Sequence, residues 1–516
     1  MSVRVIMPFR PILTNHTLTS SQSPLAELGI GLSMEYTELA DYPLPAGTLT
    51  EWVPAVRDPS AWATDPRGVS FTHEDHCSRG HDGSWIGTVF EIHRRYDVEV
   101  MRRTIETYIA RHEAFRTRVE HDSSTESWRR YTVAADAVRV DDRPEHRSKS
   151  ETQVFEHLQS WFADAVSPTV WPHFVMATVV PEPHVAASVP QPERFLVIFA
   201  ADHSVMDAYS QIYAINEFDR LYAHVLDGTD PRLPAVGSYV DFSANERRLG
   251  ESVTAEHDAV TTWSRFLSRE NGRFPSFPLP VQPVPSAEGS REASSSTRQS
   301  SVSSWLLTAD QVDAFNAACR AAGQNMQSGI MAVLALVKAR LTGDGTFRTV
   351  MPMHTRHTQE LAASVGWYVG ISPVDIELGE RRSFAEAIEI AASAVDRHKG
   401  LAAVPYSRVA SLLNSAEIPR FVVSYIDLRF LPDGSEWQVR KGRALRSECH
   451  AENEVYFWVN RTLDGLNISA RFPSSDVSTT NVHRYITEFV SVLTAVVDNS
   501  ADVAYQASET VGVGRK

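Results

Sequence analysis

The residues best suited to chemistry sit together in RFLVIFAADHSVMDAYSQIYAINEF. A β-rich run at 194–200 gives way to a turn carrying Asp202, His203 and Asp207, and apolar residues at helical spacing follow over 209–226. An imidazole at the mouth of a buried strand stands on rigid support. With an unperturbed pKa of about 6.5, it is substantially neutral near neutral pH and ready to take a proton from a hydroxyl or an amine. Asp207, four residues on, is too short and too early in the helix to act as a second base at the same centre. A buried carboxylate there seeks an arginine, and that pair would fix the turn that aims His203. The chain holds 19 histidines, so an HxxxD spacing arises about once by chance, and spacing alone does not separate a base from a histidine satisfied at a strand end.

The elements that must position these residues alternate between helix and strand in both halves of the chain. Asp97 is placed to cap a helix whose apolar face is Met101, Ile105, Tyr108 and Ile109, and core strands are expected at 174–180 and 194–200. In the second half, Thr308 with Gln311 and Ser383 with Glu386 read as capping boxes. A strand is expected at 421–427, and Asp464-Gly465 marks a hairpin. The stretch from Pro275, rich first in Pro and then in Ser, builds no core and reads as a connection. The expected organisation is an N-terminal lobe over 1–280, a linker over 281–304 and a C-terminal lobe over 305–516, with ligands bound in the cleft between the lobes.

Composition narrows the function. The 516 residues carry 64 acidic against 49 basic side chains, a formal net charge of -15, so no basic excess exists to grip nucleic acid. The three cysteines Cys77, Cys319 and Cys449 are sparse and far apart, which fits a reducing cytoplasm better than a disulfide framework. MSVRVIMPFRPILTNHT holds no apolar stretch of signal-peptide length, and GIMAVLALV is about half of a membrane span. A cytoplasmic protein is expected.

The segment Asp202-His203-Ser204-Val205-Met206-Asp207-Ala208 resembles the HHxxxDG signature of the condensation-domain and CoA-dependent acyltransferase superfamily. RHEAFRTRV upstream, GSYVDF and RFPSFPLP downstream, SVGWYVG at the place of the DFGW element, and the later VPYSRV and ARFPSSD extend the likeness in order over about residues 30 to 497. Within the superfamily the chain is similar to the mycobacterial polyketide-associated acyltransferases, above all the branch that acylates trehalose. The first His of the signature is Asp202 here, as in that branch. Its negative charge would favour the imidazolium of His203 if the two approach closely. Ala208 stands for the closing Gly and is harmless only where φ need not be positive. Ser364 and Val365 replace the first two residues of DFGW, while Gly366 and Trp367 keep the rest.

The resemblance implies an α/β (α+β) fold of two chloramphenicol-acetyltransferase-like lobes forming a V-shaped pair with a central cleft or tunnel. It implies an acyltransferase moving an acyl group from a CoA or carrier-protein thioester to a hydroxyl of a sugar such as trehalose, or of a polyketide. His203 would deprotonate the acceptor in a ternary complex, without an acyl-enzyme, and pass the proton to the leaving thiolate. The arginine that the family pairs with the motif Asp is assigned to Arg356, with Arg348 as the alternative. Asp202, Ser364, Gly366 and Trp367 are expected to line the site, with Ser364 and the backbone near Gly366 as candidate oxyanion donors. No tightly bound cofactor and no metal are expected, only acyl-CoA or a phosphopantetheine thioester as co-substrate. Transient association with a membrane or a polyketide synthase fits the family. Two rival readings stay open: a stand-alone, amide-forming condensation enzyme, and a non-catalytic scaffold of the same fold.

Other signals are set aside. THEDHCSRGH gathers His73, His76, Cys77 and His81, but without a zinc-site spacing it reads as a polar loop ahead of a strand. His354 and His357 flank Arg356 and could line the cleft, but read first as polar residues after a strand. Trp367 could shape an acyl pocket or fill the core beside the crossover, and the core role is the first reading. No Walker loop, dinucleotide fingerprint or GxSxG elbow is present.

Overall fold

Apolar runs build two large sheets whose faces are closed by helices. The computed structural model describes residues 36–80, 84–144, 149–182, 193–282, 297–380, 383–431, 434, 436–451 and 453–498. The first half contributes β1 (Tyr36–Glu38), β2 (Gly47–Val56), β3 (Ala63–Asp65), β4 (Ile86–Ile92), β5 (Thr117–Asp122), β6 (Ser127–Thr132), β7 (Val138–Pro144), β8 (Phe174–Pro181) and β9 (Phe195–Ala201). The second contributes β10 (Thr297–Thr308), β11 (Thr346–His354), β12 (Val369–Glu377), β13 (Phe421–Asp427), β14 (Arg443–Arg446), β15 (His450–Ala451), β16 (Val455–Arg461) and β17 (Gly465–Pro473). Helices α1 (Phe71–Ser78), α2 (Val98–Arg111), α3 (Glu151–Ala165), α4 (Ala208–Asp227), α5 (Tyr239–Ser252) and α6 (Asp258–Ser268) belong to the first half. One sheet has the order β1-β14-β4-β9-β8-β2-β7, the other β12-β11-β13-β16-β17-β10-β15, and β3-β6-β5 form a small third sheet. This is a mixed α/β fold of two lobes.

The strand leading into the His203 turn is buried on both faces, which explains its unbroken apolar run. Phe195, Val197, Phe199 and Ala201 of β9 join the core under α2 and α4. Leu196, Ile198 and Ala200 alternate to the opposite face, against Val154, Leu158 and Phe162 of α3. In the second lobe, GIMAVLALV lies in the helix Met326–Thr342, which is apolar on nearly every side because it runs through the core. No helix among the described residues is long and apolar enough to cross a membrane.

The caps fall where the residue types point. Asp97 accepts from the Val100 N–H, Ser383 from the Glu386 N–H, and Thr308 with Gln311 closes a full capping box. The β16–β17 hairpin turns at Asp464-Gly465, where Gly465 adopts φ 150° and its α-carbon passes so near the Leu307 carbonyl that a side chain would collide with it.

Three boundaries differ from the sequence reading. The first is the 281–304 connection: 283–296 lies outside the described residues, but β10 already begins at Thr297. Pairs of serines separate Val302 and Trp305 there, and the strand is held by pairing with β17 along its length and by Leu306 and Leu307 entering the second core. Second, the chain reaches the second lobe before residue 280. Val260, Trp263 and Phe266 of α6 pack with Val350, Val409 and Val422, and Phe277 and Leu279 enter the second core. Third, the four-residue strand β14 leaves the C-terminal half to lie between β1 and β4 of the first sheet.

Candidate active site

β9 ends at Ala201, and the turn that follows is built by its two acids. Asp202 accepts from the Ser204 N–H at 2.8 Å, closing an Asx turn. Asp207 caps α4, accepting from the Ser210 N–H at 2.8 Å and from Ser210 Oγ at 2.7 Å. Ala208 is the first helical residue and does not need a positive φ. His203 stands between the two acids.

The sequence motifs converge on this turn from both lobes. Arg356, just after β11, donates through one guanidinium nitrogen to both oxygens of Asp207 at 2.8 and 2.9 Å, and through the other to the carbonyls of Leu361 and Ser364 at 2.8 and 2.7 Å. Its plane is flanked by the rings of Tyr368 and Tyr209, 4.2 and 4.8 Å from the guanidinium carbon. The Tyr368 N–H completes the shell of Asp207 at 3.0 Å. Arg348 is engaged elsewhere, donating to Glu270 at 2.8 Å and to the Phe266 carbonyl.

Residues 364–368 form a bracket over the turn. Trp367 lies against His203 with ring centroids 4.3 Å apart and planes at 43°. It is half-buried and covers the imidazole, so it does more than fill the core beside the strand crossover. Gly366 passes so close to Tyr239 that an added Cβ would come within 2.4 Å of the ring, and the Tyr239 hydroxyl in turn donates to the Ser204 carbonyl at 2.9 Å. Ser364 is not free to serve an oxyanion: its Oγ donates to the Gly237 carbonyl at 2.8 Å and lies 2.8 Å from the Tyr368 hydroxyl. RHEAFRTRV supports the bracket from behind. His112 pairs with Glu217 of α4 at 3.0 Å and accepts from the Val365 N–H at 3.4 Å, and Arg111 also pairs with Glu217.

His203 is partly exposed, and its Nδ1 is buried without a hydrogen-bond partner among the described residues. Burial and the neighbouring His76 hold its pKa below the usual histidine value, outweighing the pull of Asp202 and Asp207. Asp202 does pull toward the imidazolium, as its charge implies, but burial and His76 outweigh it. The Asp202 carboxylate turns away to accept from Ser204 and to meet His76 Nε2 at 3.0 and 3.3 Å.

His76 is the site residue that sequence reasoning passed over. The polar loop expected there is the helix α1, capped by Ser70, with Glu246 of α5 accepting from the Phe71 and Thr72 N–H groups. His73 and Cys77 are buried in its inner face, and His81 lies outside the described residues. No cluster among the described residues has a metal-binding arrangement. His354 ends β11 and His357 follows it, both exposed. The assembled centre holds one neutral-favouring imidazole at a strand mouth, an aromatic cover, and a buried ion pair joining the lobes beneath it.

Comparison with known proteins gives a consistent result. A family model described as Condensation domain matches residues 75–505. Acyltransferase PapA3 of Mycobacterium tuberculosis is 24% identical over 486 residues, covering 89% of this chain and 98% of that protein. Trehalose-2-sulfate acyltransferase PapA2 of the same organism is 24% identical over 436 residues, covering 83% and 88%. Among solved structures, the PapA2 acyl transferase superposes with a TM-score of 0.78 at 21% identity, covering 91% of this chain and all of that one. The condensation domain of the Monacolin K polyketide synthase MokA shares the fold with a TM-score of 0.64 at 14% identity, covering 85% and 98%.

Proposed function

The chain belongs to the condensation-domain family and is an acyltransferase, and from that premise we propose that it transfers an acyl group from a CoA or carrier-protein thioester to a hydroxyl of a trehalose-type sugar, with His203 as general base. The single observation that carries the assignment is the placing of His203: a partly exposed imidazole at a strand mouth, covered by Trp367 and fixed by a cross-lobe ion pair, where burial favours the neutral form. A neutral imidazole takes the proton of the acceptor hydroxyl as its oxygen attacks the thioester carbonyl. The tetrahedral intermediate then collapses, the C–S bond breaks, and the thiolate takes the proton back from His203. One ester forms, one thioester is consumed, and the base is regenerated without a covalent enzyme intermediate. Asp207 and Arg356 touch neither substrate in this scheme. They hold the turn and the 364–368 bracket, and so keep His203 and Trp367 in register.

The test is thiol release from acyl-CoAs of short to long chain, with and without trehalose and other polyols, followed by mass spectrometry of the products. Wild type should release thiol in an acceptor-dependent way and form an ester. His203→Ala should lose about 10²–10⁴-fold in rate while melting like wild type, because it deletes a base from a partly exposed position. Equal release by both proteins would remove His203 from the reaction.

A further inference from the structure

We propose that His76, carried on α1, is a positioning residue for His203: joined to Asp202 and packed on Trp367, it sets the charge state in which His203 works. The inference rests on the reading of His203 as the base, and it concerns a residue 127 positions away in sequence. His76 Nε2 lies 3.0 and 3.3 Å from the two oxygens of Asp202. Its ring meets Trp367 edge-on, with centroids 5.3 Å apart at 84°, while Trp367 lies against His203 at 4.3 Å. One indole is thus held between two imidazoles.

α1 is anchored well enough to hold such a contact. Ser70 Oγ accepts from the His73 N–H, the Ser70 N–H donates to Ser243 at 3.0 Å, and the Glu246 carboxylate caps the helix start. These polar contacts, together with the buried His73 and Cys77, hold the short helix in place and fix His76 against Asp202.

The charges around the pair give the sign of the effect. His203 faces His76 from α1, Asp202 from its own turn and Asp207 from α4, with Arg356 bound to the last. Behind Asp202 lie His73, His173 and Arg130. Burial holds His73 well below the usual histidine range and His173 below it. Asp202 is held well below the usual carboxylate range: burial opposes this, but His76 and the Ser204 contacts outweigh it. Asp202 therefore stays a carboxylate, and the His76 ring that meets it opposes its pull on His203. Without His76 the ionised Asp202 would act on His203 alone and draw a proton onto it, which removes the base.

The experiment follows the titration of the His203 ring by NMR in the whole chain with labelled histidine, assigned with His203→Asn, beside the pH dependence of kcat/KM for acyl transfer. His76→Ala and His76→Gln should both move the His203 titration and the acid limb of the rate profile up by about one pH unit. His76→Gln keeps a donor to Asp202 without the charge, so its shift separates charge from packing. Asp202→Asn should move both down, and His76→Ala combined with Asp202→Asn should return them toward wild type. If His76→Ala fails to fold, the opposite shifts of His76→Gln and Asp202→Asn carry the test. A His203 titration that superimposes on wild type in His76→Gln and Asp202→Asn overturns the inference, even with transfer activity intact. Shifts of the expected sign in a protein that transfers no acyl group to any acceptor would uphold the coupling and sink the proposed reaction instead.

Discussion

At the residue scale, the buried pair of Asp207 and Arg356 is the most consequential contact in the site. Asp207 is about 1% exposed and Arg356 about 5% in their side chains, and each has the other as its opposite charge. Removing one partner leaves the other ionised and dry, a change that costs about 3–5 kcal/mol. Asp207→Ala should therefore lower the unfolding free energy by that much, seen as a lower denaturant midpoint and Tm, and reduce transfer with it, and adding Arg356→Ala should cost far less than the sum of the two. Chemical denaturation of the three variants checks this, and an Asp207→Ala protein that melts with wild type would mean that the pair braces nothing. The turn that carries His203 and Asp207 was legible because it lies between a buried strand and an amphipathic helix, whereas the role proposed for His203 came from the resemblance, since HxxxD spacing alone does not mark a base. Arg356 became legible only through the order of motifs along the chain, since no local pattern marks an arginine that will meet an acid 149 positions away. His76 left no signal at all. Its partner is Asp202, and a histidine in FTHEDHCS looks the same whether its ring faces water or a carboxylate.

At the element scale, legibility tracked apolar content. β9 and α4 were visible because one is buried on both faces and the other repeats its apolar stripe over five turns. α1 was not, because Phe71 and Cys77 are its sole apolar residues and polar caps from α5 fix it in place. β14 escaped for a related reason: RALR is four residues long, and its two arginines are buried, Arg446 so deeply that burial pulls its pKa down to about 10. The 364–368 bracket is the element on which the site depends most. Gly366 lets it approach Tyr239, and Gly366→Ala would place a Cβ 2.4 Å from that ring. The bracket must then lift, taking Trp367 off His203 and the Tyr368 N–H away from Asp207. Overpacking of this kind costs about 1–3 kcal/mol, so Tm should fall modestly while kcat/KM falls at least about tenfold, the cost of roughly 1.4 kcal/mol in the transition state. Tyr239→Leu should restore part of the activity by vacating the space. A Gly366→Ala enzyme with unchanged kcat/KM would show that the bracket does not govern the base.

At the scale of the whole molecule, the site makes the fold sensitive to acid. His73, His173 and His203 all lie in the first lobe, and burial lowers the pKa of each. A histidine depressed in the folded state takes its proton first when the chain unfolds. The unfolded chain thus binds more protons below its own histidine pKa of about 6.5, and stability declines as pH falls through that value. Each such histidine contributes up to about 1.4 kcal/mol per pH unit until its folded pKa is reached. The effect then deepens from another source. Glu217 is held below the usual carboxylate range, where burial opposes and the His112 and Arg111 partners prevail, and Asp202 is held lower still. Their contribution is fully present above the ordinary carboxylate pKa of about 4 and fades as pH falls below it. Melting followed from pH 8 to pH 2 should therefore show a plateau above about pH 7, a decline beginning near pH 6.5, and a second loss below about pH 4. Replacing His73 and His173 together by Gln should make the first decline shallower whatever it does to the plateau, because two of the proton sinks of the unfolded chain are gone. A Tm that stays level between pH 7.5 and 5.5 in the wild type would mean that these imidazoles meet water or a partner in the folded protein. The neutral state assigned to His203 would then lose its physical basis along with theirs.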